Sequence, residues 1–175
     1  MNIIGDKLTP VCSYPFAEDY NVYIIIPKTH NKNKEMNSSV LLIYTGGTIG
    51  MRTDATTGAL VPFDFSGIYD EFPSLRRLNV DIDVHTMPKL IDSSNVKPSD
   101  WCAIAEVIRD NYPKYDGFVI LHGTDTMSYT AAMISYMVQH SPKPIVFTGS
   151  QKPIDKEDTD GRINLRDSFL YAASE

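Results

Sequence analysis

Four short apolar runs, each ending in a cluster of small and hydroxylated residues, constrain this chain more than any other feature of it. Val40–Thr45 is apolar up to Gly46-Gly47 and reads as a buried strand followed by a tight turn. Val80, Ile82 and Val84 alternate with Asp81, Asp83 and His85, the pattern of a half-buried strand. Phe118-Val119-Ile120-Leu121 within 117–122, and Pro144–Thr148, read as two more buried strands. Between the runs the apolar period changes from strand-like to helical. Phe65, Ile68 and Phe72 suggest a short helix stopped at Pro73, and Pro98 opens a helix whose Trp101, Ile104, Ala105 and Ile108 share one face. Met127, Thr130, Ala131, Ile134, Met137 and Val138 stripe a third helix, with Met127, Met133 and Met137 read as core filling, and a fourth covers Asn164–Ala173. Strand and helix alternate four times. The expected fold is therefore α/β: an open, mainly parallel sheet with helices on both faces and right-handed crossovers.

Composition agrees with a packed domain, since 42% of the 175 residues are hydrophobic and 22% charged. Residues 1–35 stand apart. They hold one apolar burst, Tyr23–Ile26, then the polar, basic stretch Lys28–Glu35, and read as an appended segment and linker before a domain at 36–175 that Met36 would start. Sixteen Lys and Arg against 22 Asp and Glu leave a net charge of −6, which argues against nucleic-acid or anionic-membrane partners. No apolar run approaches the ~20 residues of a membrane-spanning helix, and the amino terminus has no charged region leading into an apolar one. Cys12 and Cys102 are too few for a disulfide framework and read as buried or half-buried thiols of a reducing compartment. The expected location is the cytoplasm.

In open α/β sheets ligands bind beyond the carboxyl ends of the strands. Four polar segments follow the four runs and fall on that edge: Thr45-Gly46-Gly47-Thr48, Asp92-Ser93-Ser94-Asn95, Gly123-Thr124-Asp125-Thr126 and Thr148-Gly149-Ser150-Gln151. Their convergence is the residue-level argument for an active site. Gly46-Gly47-Thr48-Ile49-Gly50 fits neither GxGxxG nor GxxxxGK[ST], so nucleotide readings fail on spacing. Thr48 is open to two readings, a capping residue in a turn or a nucleophile that needs a neighbouring base. Asp125 is likewise either a helix N-cap or an active carboxylate. His122 reads as a structural strand-end residue before a catalytic base, and the acidic run Asp155–Asp160 as a solvated loop before a metal site.

The wording of these segments resembles the bacterial-type L-asparaginase family, in its cytoplasmic type I branch. Val40-Leu41-Leu42-Ile43-Tyr44-Thr45-Gly46-Gly47-Thr48-Ile49-Gly50-Met51, Asp92-Ser93-Ser94, Leu121-His122-Gly123-Thr124-Asp125-Thr126-Met127 and Thr148-Gly149-Ser150-Gln151 carry the resemblance, from about Met36 to Glu175. It implies a cofactor-free amidohydrolase that converts L-asparagine, and in some members L-glutamine, to the acid and ammonia through an acyl-threonine. On that reading Thr48 is the nucleophile and Thr124 the second catalytic threonine. Asp125 holds the substrate amino group, Asp92, Ser93 and Ser94 bind its α-carboxylate and amino groups, and N–H groups near Gly47 and Thr124 stabilise the oxyanion.

Three departures accompany the resemblance. Leu60 stands where many members carry a relay tyrosine, and Lys152 has no motif support as the family's catalytic lysine. The matching stretch also stops before the segment that carries that lysine and before the smaller carboxyl-terminal domain. The expectation is an amino-terminal asparaginase part that forms a homo-oligomer at full length and gives little turnover as these 175 residues alone. Two alternatives are a non-catalytic Asn- or Asp-binding or dimerising fragment, and the asparaginase-like subunit of a glutamyl-tRNA amidotransferase.

Overall fold

A computed structural model describes residues 22–25 and 37–174; Cys12, the linker at 28–35 and Met36 lie outside the described residues. Its main sheet has five strands in the order β1-β7-β6-β2-β5: β1 Val22–Ile25, β7 Ile145–Thr148, β6 Gly117–Leu121, β2 Ser38–Gly46 and β5 Val80–Ile91. The pairs β2–β5, β2–β6 and β6–β7 are parallel, and β1 runs antiparallel to β7. A two-stranded hairpin, β3 Met51–Thr53 with β4 Leu60–Pro62, follows the first Gly-Gly turn. The mainly parallel α/β architecture is the one the alternating sequence implies.

Residues in β2, β6 and β7 are buried on both faces because helices cover both. On one face Val40, Leu42, Tyr44, Val119, Leu121 and Val146 pack with Ile68 of α1 (Ile68–Glu71) and with Leu165 and Phe169 of α4 (Gly161–Ala172). On the other, Leu41, Ile43, Phe118, Ile120 and Phe147 pack with Ile104 and Ile108 of α2 (Pro98–Asn111) and Ala131 and Ile134 of α3 (Met127–Met137). Pro98 occupies the first turn of α2, and the Asp100 carboxylate accepts the Lys97 backbone N–H at 2.8 Å, closing the helix start. Trp101 Nε1 donates to Thr130 Oγ1 at 3.0 Å and ties α2 to α3.

Several expectations change. The helix expected through Phe65–Phe72 breaks into a 3-10 turn, the single turn α1 and a second 3-10 segment, Pro73–Leu78. Gly67 interrupts it, and the ring of Pro73 keeps Phe72 out of the helical region, at φ −125° and ψ 71°, so Pro73 both stops one segment and opens the next. β5 runs to Ile91 and accommodates Pro88 because it is an edge strand. α4 begins at Gly161, three residues earlier than its apolar stripe suggests. Cys102 is exposed, contrary to the buried or half-buried expectation. Met133 is only partly covered and lies outside the core beside exposed Tyr129 and Tyr136, while Met127 is buried as expected. The burst at Tyr23 enters the sheet as β1.

Candidate active site

Parallel pairing brings the carboxyl ends of β5, β2, β6 and β7 to one edge, and the four polar segments meet there. The contact is tight enough to dictate glycine. Gly47 has φ +89°, and a Cβ on it would lie 2.5 Å from the Gly123 nitrogen. A Cβ on Gly123 would lie 2.4 Å from Ser93 Oγ, and one on Gly149 would lie 2.6 Å from the His122 oxygen and 3.2 Å from Thr124 Cγ2. The loops after β2, β6 and β7 thus approach backbone to backbone, and the loop after β5 reaches them through the Ser93 side chain. Hydrogen bonds fix the arrangement: Thr45 Oγ1 donates to Leu121 O at 2.7 Å, and Thr126 Oγ1 to Ser93 O at 2.7 Å.

Thr48 begins a 3-10 turn that ends at Gly50. Tyr44, buried in the sheet, donates its hydroxyl to Gly50 O at 2.6 Å and anchors that turn from below. Burial pushes the Tyr44 hydroxyl up to about 12, so it stays a donor. Thr48 and Thr124 are half-buried, and among the described residues neither hydroxyl has an internal hydrogen bond. Asp125 is exposed, and the N-cap of α3 falls on Thr126, so the capping reading of Asp125 does not hold.

Asp92 behaves differently from Asp125. Its Oδ1 accepts Ser94 N at 3.1 Å and Ser94 Oγ at 2.7 Å, and its Oδ2 accepts Asn95 Nδ2 at 3.0 Å. The Ser94 hydroxyl and N–H hold this carboxyl below the usual aspartate range. Asp92 therefore shapes the loop while Ser93, buried, presents its Oγ beneath Gly123.

His122 is fully buried, with Nδ1 2.8 Å from Gly123 O, and burial lowers its pKa and keeps the ring neutral. That geometry fits the structural reading. Leu60, on β4, is 50% exposed. Lys152 pairs with Asp158, whose carboxyl this cation holds low. The acidic run works as loop scaffolding: Asp155 accepts Thr53 N at 2.9 Å, and Asp160 accepts Gln151 N at 3.0 Å. The sequence reading missed Asn164, whose Nδ2 donates to Gly149 O at 2.8 Å and holds the fourth loop from α4. A lone amide on the buried stripe of a helix was the available signal. A cavity of about 410 Å³ lies behind the β3–β4 hairpin, lined by Arg52, Phe63, Phe72, Ile154 and Arg162, and includes none of the candidate residues.

A parallel sheet whose carboxyl edge carries two threonine-bearing glycine turns over a serine loop has a match in sequence. The family described as Asparaginase, N-terminal, matches residues 39–175, and the chain belongs to the asparaginase family. L-asparaginase 1 of Escherichia coli (strain K12) is 42% identical over 137 residues, covering 78% of this chain and 40% of that protein. The crystal structure of L-asparaginase I from Vibrio cholerae superposes with a TM-score of 0.71 at 40% identity, covering 79% of this chain and 42% of that one. A probable cytoplasmic L-asparaginase from Campylobacter jejuni superposes with a TM-score of 0.67 at 32% identity, covering 79% and 43%. The chain spans about two fifths of the length of these relatives.

Proposed function

We propose that this chain supplies the nucleophile and the amino-acid cradle of an L-asparaginase. The observation that carries the reading is the close approach of the Gly47 backbone to the Gly123 backbone, with the Ser93 side chain against Gly123, which supports both threonine turns and the serine loop meeting around one point. Thr48 Oγ attacks the side-chain amide carbon of L-asparagine. The C–N bond breaks, ammonia leaves with the hydroxyl proton, and an aspartyl ester of Thr48 remains. Water then cleaves the ester to L-aspartate and restores the hydroxyl. Thr124 assists proton transfer, while Asp125, exposed and uncapped, binds the substrate ammonium. Ser93 and Ser94 bind the α-carboxylate from a loop that Asp92 holds rigid, and N–H groups near Gly47 and Thr124 face the developing oxyanion. Such donors contribute ~3–4 kcal/mol each in acyl transfer.

The chemistry so described uses no cofactor or metal. The C. jejuni relative supports a cytoplasmic setting. Among the described residues no helix is long and apolar enough to cross a membrane. Association with a second copy is supported by the outward side of α3, where Tyr129 and Tyr136 are 67% and 71% exposed around Ala132 and Met133. Calorimetry with L-aspartate and L-asparagine tests the cradle. Binding at millimolar ligand that drops at least about tenfold in Asp125→Asn is expected, because a charge-assisted contact of ~1.5–3 kcal/mol is lost. No heat with the unsubstituted chain, or equal affinity in both, would sink the reading.

A further inference from the structure

Behind the β3–β4 hairpin, residues of β3, α1, the loop after β7 and α4 meet around the cavity of about 410 Å³. That volume falls within the ~300–1,000 Å³ of small-molecule sites. Its floor is apolar and fixed. Phe63 and Ile154 line it and are only 7% and 1% exposed. The Phe63 ring meets Phe65 edge-on at 4.8 Å and tilts against Phe72, a second lining ring, at 6.0 Å. Backbone bonds tie this floor to the base of the hairpin: Phe63 N donates to Gly50 O at 2.7 Å, and Ile154 N to Met51 O at 3.3 Å.

The rim carries charge that the chain itself does not neutralise. Arg52, in the middle of β3, and Arg162, in the first turn of α4, both line the cavity and are exposed. Among the described residues neither guanidinium has a hydrogen bond or an ion pair. The aspartates beside them are engaged in their own loops. Asp54 accepts Thr56 N at 3.1 Å, Thr57 N at 2.7 Å and Thr57 Oγ1 at 2.8 Å, and Asp155 accepts Thr53 N at 2.9 Å. A guanidinium is a planar fork of donors that matches a carboxylate, so two of them left open on one cavity favour an anion. Glu71, at the end of α1, sets a limit. Its carboxylate also lines the cavity and has no ion pair among the described residues, so it opposes a second negative charge on the ligand.

We propose that the cavity behind the hairpin binds a small monocarboxylate with a flat apolar body, its head held by Arg52 and Arg162 and its body laid on Phe63, Phe72 and Ile154. L-Asparagine and L-aspartate lack such a body and are not the ligands this floor selects. The site shares no residue with the four loops of the candidate active site, so it stands or falls apart from the asparaginase reading.

Amide NMR of the full chain titrated with sodium benzoate tests it. Saturable shifts at Arg52, Phe63, Phe72, Ile154 and Arg162 are expected at millimolar benzoate, with Thr48, Ser93 and Asp125 unmoved. Arg52→Gln and Arg162→Gln should each weaken benzoate at least about tenfold, the loss of one charge-assisted contact. Both side chains are exposed and free of internal bonds among the described residues, so the variants should keep the parent spectrum away from the cavity. Benzyl alcohol, which keeps the ring and drops the charge, and acetate, which keeps the charge and drops the ring, should each bind at least about tenfold more weakly than benzoate. Phenyl phosphate should also bind more weakly, and Glu71→Gln should narrow that gap about threefold, the scale of one exposed like-charge contact. No saturable shifts around the cavity, equal affinity for benzoate and benzyl alcohol, unchanged benzoate affinity in both arginine variants, or tighter binding of phenyl phosphate would each overturn the proposal.

Discussion

The bodies of β2 and β6 and the loops at their carboxyl ends lie a few residues apart and obey different rules. In the bodies, side chains from Val40 to Tyr44 and Phe118 to Leu121 fill both faces of the sheet and are nearly inaccessible. Their tolerance is set by volume: a change of one or two methylenes is felt as a cavity. In the loops there is little apolar volume, and the fit is backbone against backbone or hydroxyl, as at Gly47 and Gly123. Tolerance there is set by the presence of any Cβ at all. The bodies store the stability that allows the loops to keep the exposed Asp125 and, among the described residues, the Thr48 and Thr124 hydroxyls without internal hydrogen bonds. Binding groups are held in place by neighbours that do not themselves bind.

This contrast can be broken by substitution. Leu42→Ala should cost about 2–5 kcal/mol of unfolding free energy, measured by urea denaturation, because Leu42 is completely buried between strands. A loss below ~1 kcal/mol would mean the strand body is not packed as described. Gly47→Ala should cost at least about 2 kcal/mol, from a positive φ and from a Cβ placed against the Gly123 backbone. Its effect should concentrate in exchange and ligand binding at the carboxyl edge. Equal loosening throughout the sheet would erase the distinction between body and loop.

The smallest effect concerns the Asp92 loop. Ser94→Ala removes the main contact holding the Asp92 carboxyl low, so its pKa should rise toward the ordinary aspartate range, followed by carboxyl carbon NMR. The sign is that of a depressed carboxylate: the bonds to Ser94 favour the folded loop above the unfolded pKa and are lost as pH falls through the lower folded value. An unmoved Asp92 titration in Ser94→Ala would show that the serine is not what holds it.

Much of this organisation is legible in the sequence, for reasons that also explain what is not. Runs such as Phe118–Leu121 announce strands because burial on both faces leaves no polar position. The carboxyl-edge convergence follows once the strands are parallel, so the four loops could be grouped without coordinates. The pairing of Val22–Ile25 could not be read, since four residues with no distinguishing pattern do not name their neighbour. α3 is apolar nearly all round, and its outward Tyr129, Met133 and Tyr136 are hard to tell from core by periodicity. The division of labour between Asp92 and Asp125 was also hidden, because it depends on Ser94 and Asn95 folding back onto one carboxylate. Asn164 escaped for the same reason: its partner is a carbonyl fifteen residues away, brought close by the loop after β7.

The central claim is that four loops on one sheet edge form a single amino-acid site. Backbone amide NMR during titration with L-aspartate addresses it directly. The expected result is a saturable set of shifts at Gly47, Thr48, Ser93, Ser94, Thr124 and Asp125, sharing one dissociation constant. Shifts confined to Arg52, Phe72 and Arg162 around the hairpin cavity, or none at millimolar ligand, would contradict it.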